Sequence, residues 1–387
     1  MAGRNHLYVP GPTNVPMAIL NAMHVDMEDH RSPVFPDLLK PLLEDLKKIF
    51  KTEQGRAFVF PATGTAGWEI ALTNLLVPGD KVLIYRFGQF GHLWAEMAKR
   101  LGFDVEVVNR PWGEGIPIDD LEARLRADSA HQIKAFLATH NETSTGVTSD
   151  IAAVRRVMDA VGHPALLLVD GVSSIASIDF RMDEWRVDGA ICGSQKGFML
   201  PAGGAFVAFS PRALEIAKTS PYPRCFLDLR DQITSNDTGY TPYTPSIPML
   251  RGLRKALDML LEEGLDNVFA RHYRLAEGTR RAVQAWGMSL CAKPGFESNT
   301  VTAVVVPEDK DARQVIATAF HKYNLSLGAG LSEVAGKVFR IGHLGDMNEI
   351  SMLGAIAGAE MAMLDHGFDI KPGSGVAAAL EYYRTAL

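Results

Sequence analysis

The chain has 387 residues, of which 47% are hydrophobic and 22% are charged, and its formal net charge is −6. This length can bury a large core and suits two domains. The negative charge, without a long basic run, argues against nucleic acid as a partner. Three cysteines without a Cys-x-x-Cys spacing favour a reducing compartment over a disulfide framework or a structural zinc site, and no metal site is predicted.

Two features bear on localisation. The first residues lack the apolar stretch of a signal peptide, and no apolar run approaches the roughly 20 residues of a membrane-spanning helix. We therefore expect a cytoplasmic protein that does not associate with membranes.

The N-terminal region opens with 16 residues that are rich in Pro and Gly and have no helical period, which predicts an extended arm. A polar segment, residues 29–33 (DHRSP), comes next. It is either a turn before Pro33 or a basic pair, His30 and Arg31, that is directed at a substrate.

From residue 57 onward, short apolar segments alternate with helical patterns. Residues 57–60, 81–85, 105–108, 135–138, 166–169, 190–192 and 205–209 read as strands. Runs of this kind, apolar throughout and separated by helices, are typical of a mostly parallel sheet that is covered on both faces. The fold class is therefore α/β. No Gly-x-Gly-x-x-Gly motif and no phosphate-binding lysine loop follow any strand, so nucleotide binding is not supported.

A small-residue turn, Thr63-Gly64-Thr65, precedes a helical pattern. Free backbone N–H groups and hydroxyls at a helix start make a ready anion site. An ordinary helix cap explains the same residues equally well.

Two ionisable side chains end neighbouring apolar runs. Asp170 follows four apolar residues, and Lys196 comes 26 residues later, after a second apolar run. In open α/β sheets the ligand crevice lies at the carboxyl ends of the strands. A buried lysine becomes a nucleophilic amine, and a carboxylate can keep a pyridine nitrogen protonated, which is the pair that pyridoxal phosphate requires. Taken alone, a lysine at the end of a strand is more often a solvated surface charge.

The C-terminal part contains a long helical pattern from residue 250 to about 286, a strand at residues 301–306, and helices at residues 311–321 and 347–365. Arg340 lies inside an apolar run. A buried guanidinium needs an anionic partner, which is either a substrate carboxylate or an internal salt bridge.

Six stretches in order resemble the class V aminotransferases of fold type I, in the serine/alanine–glyoxylate group. They are residues 9–16 (VPGPTNVP), 61–65 (PATGT), 139–143 (THNET), 169–174 (VDGVSS), 193–196 (GSQK) and 336–343 (GKVFRIGH). The resemblance implies the fold of PLP-dependent transferases of type I, with a mostly parallel seven-stranded sheet. It implies an N-terminal arm (1–16), a large cofactor-binding domain (17–265) and a smaller α+β domain (266–387).

The resemblance also implies site residues and pyridoxal 5′-phosphate as the cofactor. Lys196 and Asp170 would be catalytic. The implied cofactor-binding residues are Thr63, Gly64, Thr65, Phe90, Thr143, Asp170, Val172, Gln195, Lys196, Tyr243 and Ser246. The implied substrate-binding residues are Arg340, Arg31, His30 and Asn14. Some relatives have tyrosine at the position of His30, tryptophan at that of Phe90 and threonine at that of Ser246.

The same resemblance implies a homodimer with shared active sites, because Tyr243 and Ser246 would reach the phosphate bound by the partner. On composition alone their segment, residues 241–248, is a linker. Without the resemblance, core packing is the favoured interpretation of Phe90. His140 and Glu142 are either catalytic or order their loop.

The implied reaction transfers the amino group of L-serine to glyoxylate in two half-reactions, and gives hydroxypyruvate and glycine. Aspartate and alanine are alternative donors. Cysteine desulfuration is disfavoured because residues 326–337 contain no cysteine. A non-catalytic cofactor-binding module is disfavoured because no DNA-binding segment is appended.

Overall fold

The structure is a computed structural model that describes residues 5–386. Its strands are β1 (His6–Tyr8), β2 (Arg56–Phe60), β3 (Lys81–Arg86), β4 (Asp104–Asn109), β5 (Ile133–Thr139), β6 (Asn141–Glu142), β7 (Val147–Thr148), β8 (Leu166–Asp170), β9 (Gly189–Gly193), β10 (Ala205–Phe209), β11 (Ser289–Leu290), β12 (Val301–Val305), β13 (Leu325–Ala329) and β14 (Val338–Gly342). Its helices are α1 (Met17–Met23), α2 (Phe35–Phe50), α3 (Gly64–Leu75), α4 (Gln89–Arg100), α5 (Ile118–Ala127), α6 (Ile151–Val161), α7 (Pro211–Thr219), α8 (Leu229–Thr238), α9 (Ile247–Glu263), α10 (Leu265–Ala285), α11 (Ala312–Tyr323), α12 (Glu349–Asp365) and α13 (Ser374–Thr385).

The large sheet has seven strands in the order β2-β10-β9-β8-β5-β3-β4. Every strand runs parallel to the others except β10, which is antiparallel to both of its neighbours. The predicted α/β class and the mostly parallel seven-stranded sheet are confirmed. The register places Asp170 level with Thr139 on one side and with Ile191 on the other, so three strands end at one edge.

Strand β8 illustrates how this sheet is buried on both faces. Leu167 and Val169 belong to a core that includes side chains of α2, α6 and α9. Leu166 and Leu168 belong to the opposite core, with side chains of α3, α4 and α7. Successive strand residues point to opposite faces, so a strand that is apolar at every position fits only between two helical layers.

The second sheet has five strands in the order β1-β13-β14-β12-β11. A third core, which draws on α10 to α13, covers it. Strand β1 pairs in parallel with β13, so part of the predicted N-terminal arm is a strand of this C-terminal sheet. The domain boundaries at residues 16 and 265 stay a prediction.

The long helical pattern from residue 250 to about 286 is two helices and not one. Gly264 separates α9 from α10 with φ 81° and ψ 131°. Only glycine adopts such a conformation at little cost, so a break at this residue follows from its missing Cβ. Asp150 caps the start of α6, where its carboxylate accepts a hydrogen bond from Ala153 N–H at 2.7 Å.

Two searches of the described residues returned nothing. Between residues 5 and 386, none of the helices combines the length and apolarity that crossing a bilayer requires. In the same part of the chain, no group of three or more His, Cys, Asp or Glu side chains is arranged to hold a metal ion. The three cysteines are free thiols.

Candidate active site

A cavity of about 250 Å³ opens where the parallel strands of the large sheet end. Its lining consists of Thr63, Gly64, Thr65, Trp68, Phe90, Asn141, Thr143, Asp170, Val172, Ser173, Gln195 and Lys196. Nine of these residues were predicted to bind the cofactor. The carboxyl ends of parallel strands are where open α/β sheets bind their ligands.

The start of α3 forms one wall of the cavity. Thr63 is the N-cap residue, but its hydroxyl makes no capping bond, so it stays available to a ligand. A Cβ at Gly64 would lie 2.7 Å from a Val172 methyl carbon, so only glycine fits there. The buried side-chain oxygen of Gln195 has no hydrogen-bond partner within residues 5–386. Free N–H groups and hydroxyls suit an anionic group such as a phosphate, and the Gln195 amide nitrogen is a further donor beside them.

Asp170 ends β8 and is buried. One carboxylate oxygen accepts a hydrogen bond from Val172 N–H at 2.9 Å. No basic nitrogen lies within 4.0 Å of the carboxylate in the described part of the chain. Burial raises the pKa of Asp170 to about 7. A carboxylate in this environment is stabilised by a cationic ligand, and a protonated pyridine ring is such a ligand.

Lys196 comes three residues after β9 ends and is partly buried. Its Nζ donates a hydrogen bond to the backbone carbonyl of Pro10. Burial, together with the positive charge of Arg340, lowers the pKa of Lys196 to about 8. Lys196 is therefore not a solvated surface charge, and near neutral pH an appreciable fraction of its amine is the nucleophilic form.

Arg340 lies in β14 and is buried. Its Nε donates to the Ala329 carbonyl at 2.8 Å, and its Nη1 donates to the Thr143 carbonyl at 2.9 Å. These acceptors are neutral, and within residues 5–386 no carboxylate oxygen lies within 4.0 Å of the guanidinium. Burial lowers the pKa of Arg340 to about 10. The internal salt bridge that the sequence left open is absent there, and a guanidinium that costs several kcal/mol to bury unpaired is available to an anion.

His140 and Glu142 order the loop that follows β5. The buried Glu142 carboxylate accepts hydrogen bonds from the backbone N–H groups of Phe90 at 2.9 Å and Gly91 at 3.2 Å, at the start of α4. It also accepts from the backbone and the hydroxyl of Ser144. His140 packs against the rings of Phe180 and Trp185, and burial lowers its pKa to about 4. Neither side chain lines the cavity.

Some predicted site residues lie away from the cavity of the single chain. The Tyr243 and Ser246 side chains line a separate cavity, and the Tyr243 hydroxyl donates to Asp231 at 2.8 Å. His30 and Arg31 lie in the turn between α1 and α2, where Arg31 is exposed. Asn14 donates its amide to the Leu7 carbonyl at 2.9 Å.

Three lining residues were not predicted as site residues. Asn141 donates to the hydroxyls of Ser173 at 2.8 Å and Thr300 at 3.0 Å, so its side chain joins the cavity wall to the second sheet. Trp68 stacks on Trp94 with ring centroids 5.8 Å apart. Asn141 and Ser173 belong to stretches that carried the family resemblance, whereas Trp68 lies outside those stretches, in α3.

Three features around one cavity fit pyridoxal phosphate. The lysine amine matches its aldehyde, the buried carboxylate without a cationic partner matches its ring nitrogen, and the anion site at the start of α3 matches its phosphate. The fold and this site define a PLP-dependent enzyme of fold type I.

Comparisons with known proteins agree. Residues 11–352 match the model of the family "Aminotransferase class-V", and the chain belongs to that family. It is 58% identical to a serine–glyoxylate aminotransferase of Methylorubrum extorquens, over 99% of this chain and 96% of the relative. It is 54% identical to an L-aspartate–glyoxylate aminotransferase of Paracoccus denitrificans, over 99% of this chain and 97% of the relative. The structure of a pyridoxamine–pyruvate aminotransferase from Mesorhizobium loti superposes with a TM-score of 0.92 at 27% identity, over 100% of this chain and 98% of that one. The protein is an aminotransferase, and its cofactor is pyridoxal phosphate.

Proposed function

We propose that this aminotransferase moves the amino group of L-serine to glyoxylate and releases hydroxypyruvate and glycine. The observation that carries the choice of substrates is the 58% identity to a serine–glyoxylate aminotransferase over nearly the whole chain. The enzyme acts on amino acids and 2-oxo acids. A buried guanidinium with only neutral acceptors, next to the amine of Lys196, suits substrates that carry a carboxylate beside the reacting carbon.

The bound cofactor supplies an electron sink for the negative charge that develops at the substrate Cα. Lys196 would hold the cofactor covalently and, once displaced by substrate, would act as the general base that takes the Cα proton and as the general acid that returns it to the cofactor. Its lowered pKa suits both duties. Asp170 stays ionised beside the cationic ring nitrogen and keeps that nitrogen protonated. Arg340 grips the substrate α-carboxylate and so orients the Cα–H bond.

The remaining residues of the cavity bind the cofactor in this proposal. Thr63, Gly64, Thr65 and Gln195 hold the phosphate through hydroxyl, backbone and amide donors. Phe90 and Val172 would contact the cofactor ring, and the Thr143 hydroxyl would donate to the ring hydroxyl.

We also propose a homodimer in which each cavity is completed by the partner. Tyr243 and Ser246 then contact the phosphate in the other subunit, and His30, Arg31 and Asn14 approach substrate. Support comes from the segment around His30 and Arg31, where the exposed fractions are 63% for Met17, 74% for Met27 and 66% for Val34. Several exposed apolar side chains in one segment are typical of a protein interface. Placement in the cytoplasm is part of the same proposal.

Replacement of Tyr243 by Phe tests the shared site. One hydrogen bond to the phosphate is lost, so we expect the cofactor dissociation constant to rise about tenfold while the dimer persists. Dissociation of cofactor is followed by dialysis and absorbance, and subunit mass by light scattering. Tyr273→Phe, on the exposed face of α10, is the matched control. Unaltered cofactor affinity in the Tyr243 variant would refute the phosphate contact.

Replacement of Arg340 by Gln tests the carboxylate site. A charge-assisted pair is lost, so we expect kcat/KM for serine to fall about 100-fold or more, mainly through KM. Arg281→Gln, on an exposed arginine of α10, is the control and should change neither constant. A serine KM equal to that of the unmodified enzyme would exclude the proposed carboxylate contact.

Aspartate is the second candidate donor, because a relative at 54% identity is an L-aspartate–glyoxylate aminotransferase. Alanine is a third candidate. With glyoxylate as the acceptor, we expect kcat/KM for serine to exceed the values for aspartate and alanine. The measurement is the glycine formed with each donor, and a higher value for aspartate would transfer the assignment to that donor.

A further inference from the structure

Residues 9–13, which we call the strap, link the second sheet to the large sheet across the active site. The strap follows β1, which is held in the second sheet by its parallel pairing with β13. At the other end, Thr13 N–H donates to the Gln195 carbonyl at 3.1 Å, and the Thr13 hydroxyl donates to the Lys196 carbonyl at 3.2 Å. Thr13 is 3% exposed, so these bonds are shielded from water. The strap therefore ties the backbone of the candidate catalytic lysine to the sheet that carries Arg340.

The strap also contacts both functional side chains directly. The Pro10 carbonyl accepts the hydrogen bond from Lys196 Nζ. A Cβ at Gly11, whose φ is +103°, would collide with the Lys196 side chain. A Cβ at Gly328 would lie 2.8 Å from Pro10 Cδ and 3.0 Å from Arg340 Cβ, so the strap and β14 meet there without spare room. The strap thus contacts the Lys196 side chain and lies against β14 beside Arg340.

The turn that carries Lys196 needs support from outside. Met199 has φ +58°, a left-handed conformation that costs a non-glycine residue free energy. Its N–H donates to the same Lys196 carbonyl that accepts from Thr13, at 3.0 Å. Strained backbone conformations persist where surrounding contacts hold them in place, and the two hydrogen bonds from Thr13 are such contacts.

We propose that Thr13 is a positioning residue that fixes the Lys196 turn through its hydroxyl, so that the amine stays at a set distance from Arg340. An α-amino acid presents its amino and carboxylate groups at one fixed separation, and the site must bind both groups at the same time. The inference deepens the proposed function, and in its choice of substrate class it rests on that function.

The test compares Thr13→Val, which keeps the shape and removes the hydroxyl, with Thr13→Ser, which keeps the hydroxyl. Cofactor is removed from each protein, pyridoxal phosphate is added, and the rise of the visible absorbance is timed. We expect the valine variant to capture cofactor about fivefold to tenfold more slowly, and the serine variant to stay within twofold of the unmodified protein. Thr279→Val is the matched control, because its buried hydroxyl also donates to a backbone carbonyl, that of Leu275.

Capture of the cofactor needs no amino donor, so this readout is separate from the proposed reaction. An error in the donor would leave the unmodified protein unreactive towards serine but would not alter the Thr13 comparison. Capture by Thr13→Val at the unmodified rate would overturn the proposal, as would an equal slowing in Thr13→Ser. If the valine variant does not fold, Thr13→Ala is timed instead, and the same slowing is required of it.

Discussion

Replacement of Lys196 by Ala is expected to remove covalent cofactor and to lower the transamination rate by about 10⁴-fold. The variant loses both the amine that holds the cofactor and the group that moves the Cα proton, and general acid–base catalysis alone contributes 10²–10⁴-fold. Visible absorbance of the purified protein and mass spectrometry after borohydride reduction report the covalent link. Retention of reducible cofactor by the alanine variant would refute the assignment of Lys196.

The pH dependence of capture sharpens this prediction. Only the neutral amine attacks an aldehyde, and the pKa of Lys196 lies near 8 and not near the usual 10.5. The rate at which the cofactor-free protein captures pyridoxal phosphate should therefore rise up to about pH 8 and level off above it. Lys48→Ala, on an exposed lysine of α2, should give an unchanged profile. A rate that keeps rising to pH 10 would contradict the shifted pKa.

Replacement of Asp170 by Asn is expected to lower kcat by about 10³-fold while cofactor remains bound. A neutral amide does not hold the ring nitrogen protonated, so the developing negative charge loses its stabilisation. Single-turnover rates with serine measure the effect. Asp188→Asn is the control, because Asp188 is also buried and bonded to a backbone N–H, that of Leu167 at 2.9 Å, but lies outside the cavity. An Asp170→Asn variant with a near-normal rate would exclude the proposed role.

The same substitution should stabilise the cofactor-free protein. The pKa of Asp170 is raised from its usual 3.8 to about 7, so the folded state binds more protons than the unfolded state between these values. Stability conferred by the native residue therefore falls as pH rises from about 4 to about 7, by at most roughly 4 kcal/mol. Without cofactor, Asp170→Asn should unfold at a higher temperature than the unmodified protein at pH 8, and the difference should vanish near pH 4. A lower melting temperature at pH 8 would contradict the uncompensated charge.

Much of the site follows from local patterns. The apolar runs before Asp170 and Lys196 predict strands. Strands that are buried on both faces are typical of a parallel sheet, and β8 and β9 are parallel, so the residues that follow them meet at one edge. The start of α3 at Thr63 is equally local, because a small-residue turn before a helical period predicts the beginning of a helix. These features need no knowledge of distant contacts.

Other features depend on contacts that local patterns do not encode. The Pro10 carbonyl contacts Lys196 across 186 residues, and the neutral partners of Arg340 come from β13 and from the loop after β6. The break at Gly264 was missed because an apolar period continues through it on both sides. The proposed roles of Tyr243 and His30 depend on a second copy of the chain, and one chain's sequence does not encode how two copies meet.

Separate half-reactions of the purified enzyme, in its cofactor-bound form, test whether it transfers the amino group of serine to glyoxylate. Serine is added alone and the visible cofactor band is followed, and glyoxylate is added once the band has gone. We expect rapid loss of the band with serine, slower loss with aspartate or alanine, and recovery of the band with glyoxylate. One equivalent each of hydroxypyruvate and glycine should form. A band that persists with all three amino acids, or that is lost without return on addition of glyoxylate, would contradict the proposed transfer.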